Sequence, residues 1–190
     1  MRTAPLDELR AVVDAELREL LGRVVDEAAD ETVYFFAVIV TGCHVSPFVV
    51  ANSEQALAER RGLLYAEQGV TDYEIDPWDP GQWRWSLHGA RATTLLGILE
   101  EKHDAWIAEQ PSDESDSWDA VIHRLDEIYL DALQAIDREG LLGPSRATGH
   151  AALLLMDESQ FDEDEWRAVF RRLNPPEIEA RLLRDWGLAT

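Results

Sequence analysis

The chain has 190 residues, with 17 basic side chains against 38 acidic ones and a formal net charge of −21. Such a field repels nucleic-acid phosphates and anionic membrane surfaces and attracts cationic partners at long range, which excludes nucleic-acid and lipid-surface functions. A hydrophobic share of 46%, with 7 tryptophans, is ample material for one packed domain over residues 1–190 and argues against global disorder.

Pro5, a favoured first-turn residue, opens a helix whose Leu6, Leu9, Val13, Leu17, Leu20, Leu21, Val24 and Val25 recur on one face. Asp7, Glu8, Glu16 and Glu19 interrupt any apolar run, so this segment does not read as a signal peptide. Asp26 to Glu31 is its polar exit. Thr32 to Thr41 is β-branched and aromatic nearly throughout, the pattern of a central strand covered on both faces. A turn over Gly42 to Pro47 leads to a second strand through Phe48, Val49 and Val50, and so short a connection implies an antiparallel pair. Asn52 and Ser53 offer a helix cap, with Gln55 placed to bond back, and the helix runs to about Gln68 before Gly69 stops it.

Asp79, Pro80 and Gly81 signal a turn. Trp83, Trp85 and Leu87 then alternate with Gln82, Arg84, Ser86 and His88, the period of a half-buried strand with both tryptophans on its covered face. Two long helices follow, over about Arg91 to Glu109 and Ser117 to Glu139, with an acidic loop from Pro111 to Asp116 between them. Gly140 to Gly149 reads as a loop, and Ala151 to Met156 as a last strand. Asp162 is placed to cap a helix with Glu165 three residues on; this helix buries Trp166, Val169 and Phe170 and stops at Pro175 and Pro176. A closing helix covers about Glu177 to Trp186, where Leu182, Leu183 and Trp186 form an apolar patch. The order implies an α+β fold, with a mixed or mainly antiparallel sheet of about four strands covered by helices.

The single cysteine, Cys43, excludes an internal disulfide and a multi-cysteine zinc site. It ends an apolar run and reads as a buried, inert thiol. No stretch approaches the roughly 20 apolar residues of a membrane span. The expected location is the cytoplasm.

Val33 to Val38 is followed by Ala51 to Leu57; Trp78, Pro80 and Trp83 form a block; and an apolar strand into Met156 and Asp157 is followed by Arg172, Leu173, Asn174 and Pro175. In this order the three landmarks resemble a mostly bacterial family catalogued as domain of unknown function 4303. Gln82 stands where the family often carries an acidic residue. The family's name supplies no activity. Small acidic bacterial proteins of this kind often act as immunity proteins beside secreted toxins, and the analogy implies a basic, toxin-like protein partner.

The acidic stretches are the candidate partner surface: Asp113, Glu114 and Asp116 with Asp119 in one, and Asp157, Glu158, Asp162, Glu163, Asp164 and Glu165 in the other. Carboxylates in helix first turns are favoured by the dipole, which accounts for Asp162 to Glu165 locally but not for the excess over the whole chain. The alternative is a small-ligand or enzymatic site at Trp78, Trp83, Arg84 and His88, with the aromatics as platform and the cations for an anion. Against it, the alternation buries the tryptophans without any need of function. Glu100 and His103, with His123 and Asp126, have helical spacings used by carboxylate-bridged metal centres, but the second Glu-x-x-His is missing and no metal or cofactor is expected. Neither Cys43 with His44 nor Ser86 with His88 carries the accompaniments of a nucleophile, and no glycine pattern cradles phosphate. An interaction protein is favoured over an enzyme.

Overall fold

The computed structural model describes residues 5–41, 46–68, 83–107, 118–157 and 163–185. Along the chain run α1 (Pro5–Glu27), β1 (Val33–Thr41), β2 (Ser46–Ser53), α2 (Glu54–Gln68), β3 (Trp85–His88), α3 (Ala92–Ile107), α4 (Trp118–Arg138), α5 (Gly143–Ala147), β4 (Ala152–Asp157), α6 (Glu163–Leu173) and α7 (Pro176–Asp185). The four strands form one sheet in the order β3-β2-β1-β4. β1 pairs antiparallel with β2 and parallel with β4, and β2 pairs antiparallel with β3. The fold is α+β with a mixed sheet.

β1 is central, and every residue from Val33 to Val40 is buried. Its side chains divide between two apolar layers. Phe36, Val38 and Val40 join Leu9, Val13, Leu17, Leu20, Leu21, Leu95, Leu125, Tyr129 and Leu133 from α1, α3 and α4 on one face. Phe35, Ala37 and Ile39 join Leu57, Phe170, Ile178 and Leu182 from α2, α6 and α7 on the other. The register shifts between Val33 and Phe35, so Tyr34 and Phe35 fall in the same layer despite being neighbours. A bulge is the device that breaks the two-residue period locally.

The apolar stripe of α1 is buried where its spacing predicts, at Leu9, Val13, Leu17, Leu20, Leu21 and Val24. Two expectations need correction. The alternation predicts one face for Trp83, Trp85 and Leu87. Both tryptophans are buried, but Trp85 packs with Phe36 and Trp83 with Phe35, on opposite sides of the sheet. Trp83 precedes β3 and Arg84 makes a bend, so pleat alternation does not extend that far back. The Gly140–Gly149 loop also contains a helix, α5, with proline in its first turn. A five-residue helix is too short to display a 3.6 period.

Glycines at positive φ end both flanking helices. Gly140 (φ 75°) donates to the Asp137 carbonyl while the Leu141 amide donates to that of Ile136, and Gly149 (φ 73°) repeats the pattern on Arg146 and Ser145. These paired bonds satisfy the last carbonyls of α4 and α5 and turn the chain twice before β4.

Candidate functional site

The end of the sheet formed by the start of β1 and the finish of β2 gathers polar side chains. Ser53 caps α2: its Oγ accepts from the Ala56 amide at 2.9 Å and donates to Glu31. Gln55 does not bond back to the cap; its Oε1 accepts from the Thr32 amide at 2.9 Å and ties α2 to the entry of β1. Asn52, 3% exposed, donates from Nδ2 to the Tyr34 hydroxyl at 2.9 Å. Its Oδ1 has no partner among the described residues. Arg84 reaches Glu31 at 2.5 Å and also binds Glu59, with its guanidinium 5.7 Å from the Trp85 ring centre.

Of the ligand-site residues expected from sequence, Trp78 lies outside the described residues. Trp83 is buried edge-on against Phe35, with ring centres 4.8 Å apart. Arg84 is shared between two carboxylates, which lowers its appeal to an added anion. His88 is exposed at the far end of β3 and stacks on Phe48 at 5.3 Å. Arg84 and His88 are thus separated by the length of the strand, about 13 Å. Of the acidic candidates, Asp113, Glu114, Asp116, Glu158 and Asp162 lie outside the described residues. Asp157 closes β4, Glu163 opens α6, and Asp164 is exposed in the first turn of α6. Cys43 and His44 lie outside the described residues as well.

Sequence reasoning did not identify two further clusters. Glu16 is 1% exposed within the apolar stripe of α1. It accepts from the Arg91 amide at 3.1 Å and from the Arg91 guanidinium, which also reaches Glu19 at 2.7 Å. These bonds hold the Arg91 guanidinium above its ordinary range, Glu19 contributing most. Burial, with Glu16 and Asp126 nearby, pushes the Tyr129 phenol well up. The second cluster centres on Arg146. It donates to both Asp137 oxygens at 2.8 and 2.6 Å, to Asn174 Oδ1 at 2.8 Å, and to the carbonyls of Ala151 and Leu173. Asn174 in turn accepts from the Leu153 amide at 2.8 Å and donates to the Leu153 carbonyl at 2.6 Å. The side-chain amide thereby occupies the outer edge of β4 as a neighbouring strand would.

Arginine after arginine is held by carboxylates of the same chain: Arg10 by Asp131, Arg18 by Asp14 and Glu139, Arg171 by Glu179, and Arg172 by Glu127. With Arg84, Arg91 and Arg146 similarly held, these cations are paired within a chain whose formal charge is −21. Among the described residues, no group of three or more His, Cys, Asp and Glu side chains is placed to hold a metal ion. Glu100 on α3 and His123 on α4 are both exposed. No helix among the described residues is long and apolar enough to cross a membrane.

A family model described as domain of unknown function (DUF4303) matches residues 10–175 of the chain. Comparison with curated proteins and with solved structures returns no match.

Proposed function

The chain belongs to the DUF4303 family, and since that name assigns no activity, we propose from its chemistry that it is an acidic protein-interaction module of the immunity or antitoxin type. It neutralises a basic protein partner in the bacterial cytoplasm. The observation that supports this reading is the charge: −21 over 190 residues, with arginines already bound to carboxylates of their own chain. A cationic cleft that binds phosphates on a partner would meet a complementary field here, with fast, salt-sensitive association. The stretches from Asp113 to Asp119 and from Asp157 to Glu165 are the proposed contact surface.

The test is capture from the protein's own cell lysate at low and high salt. One basic protein should be retained at low salt, released as salt rises, and lost when both acidic stretches are charge-reversed. Retention that ignores both salt and the reversals overturns the reading.

A further inference from the structure

The two edges of the sheet are not equivalent. β4 is capped at the start of its outer side, where Asn174 takes both the amide and the carbonyl of Leu153 and Arg146 takes the carbonyl of Ala151 just before the strand. β3 is the opposite edge, and among the described residues it pairs only with β2. Its backbone directions follow from one bond. The Gly89 amide donates to the Pro47 carbonyl at 3.0 Å, so Gly89 faces β2. In an antiparallel pair, alternate residues face the neighbour. Leu87 and Trp85 therefore also face β2, while Ser86 and His88 turn their amides and carbonyls outward. The side chains of Ser86 and His88 are themselves exposed.

The charge at both ends of this edge has one sign. At the start of β3, Arg84 is shared by Glu31 and Glu59. Beyond its end, Arg91 is shared by Glu16 and Glu19. Each group keeps one uncompensated negative charge. An open strand edge flanked by negative charges disfavours a second copy of this acidic chain and favours an extended cationic segment.

We propose that β3 is a docking edge on which an extended, lysine- or arginine-bearing segment of a partner protein adds as a fifth strand, bonded to the backbone of Ser86 and His88. Main-chain bonds supply the geometry and the flanking carboxylates select cationic side chains. This inference rests on the basic-partner reading and adds the surface and the form of the ligand.

The probe is a blocked peptide of about eight residues, the length of an ordinary strand, with lysines at both ends and alternating valine and threonine between them. A second peptide of the same sequence is N-methylated at alternate residues, which removes backbone donors and leaves the charge unchanged. Binding is followed by amide chemical shifts and hydrogen exchange. The first peptide should protect the Ser86 and His88 amides and bind roughly tenfold tighter than the methylated one. Ser86→Pro should abolish that difference, because its amide points away from β2 and the existing ladder survives the substitution. The methylated peptide leaves the protein unaltered, so the comparison stands even where Ser86→Pro unfolds. Equal, salt-sensitive binding of the two peptides keeps the basic-partner reading and overturns the docking edge. No binding of either peptide at low salt also overturns the edge, while lysate capture decides the broader reading separately.

Discussion

Arg146 shows how much one side chain can hold together. Its guanidinium joins the end of α4 through Asp137, the entry to β4 through the Ala151 carbonyl and the end of α6 through Leu173 and Asn174. Its side chain is only 7% exposed, so replacing it strands a carboxylate and several carbonyls in a poorly hydrated site. We expect Arg146→Leu to cost about 3 kcal/mol or more in urea unfolding, because removing one partner of a buried pair leaves the other uncompensated. Arg146→Lys should recover only part of this, since an ammonium cannot reproduce the planar fork. Gly89 presents a steric version of the same argument. A Cβ there would lie 2.9 Å from the Pro47 carbonyl oxygen and would collide with the Glu16 carboxylate. Gly89→Ala should therefore destabilise by about 2 kcal/mol through overpacking, measured in the same unfolding experiment.

At the scale of elements, the contacts between helices and sheet edges carry the specificity. Asn174 ends α6, accepting from the Leu153 amide and donating to the carbonyls of Leu153 and Phe170. Asn174→Asp keeps the acceptor and loses the donor, leaving both carbonyls without it. The expected loss is about 2 kcal/mol in thermal or urea unfolding, from buried carbonyls left unbonded. The packing of α4 against α6 also titrates. The Arg172 hydrogen bonds hold the Glu127 carboxyl below the ordinary carboxylate range, overcoming the opposing effect of burial. Arg18 lowers the Glu139 carboxyl in the same way, linking α1 to α4. A carboxyl whose folded value is depressed stabilises the fold above its unfolded value and loses that contribution as pH falls through the folded one. Stability should thus fall below about pH 4, and the fall should be shallower in Glu127→Gln. An acid titration of the unfolding midpoint for both proteins checks this.

Over the whole molecule, self-repulsion among the surplus carboxylates opposes folding, and exposed ion pairs offset little of it. Added monovalent salt screens both, and the repulsion is the larger effect at a net charge of −21. Raising sodium chloride from about 0.02 M to about 0.3 M should lift the melting temperature by roughly 3 °C, equivalent to about 1 kcal/mol for a domain of this size. A melting temperature that falls with salt would show that the arginine–carboxylate pairs dominate instead. Periodicity within single segments determined the order of the strands and long helices, the central position of β1 and the buried stripe of α1, while the resemblance of ordered landmarks between Val33 and Pro175 identified the family. Asn52 and Ser53 were legible as a cap, although only the structure separates Ser53, which caps, from Gln55, which crosses to Thr32. Glu16 carried a signal, because a carboxylate between Val13 and Leu17 falls in the apolar stripe and requires a partner, but nothing local indicates that the partner is Arg91. Arg146 carried none, and Asn174 only its place in the family landmark, because their partners lie on other elements. Tertiary structure alone decided that Trp83 and Trp85 pack on opposite layers, that Arg84 and His88 part to the two ends of β3, and that β3 pairs, among the described residues, only with β2. Each of these depends on where the chain bends and on what lies across the sheet, and neither is encoded in the spacing of residues along one element.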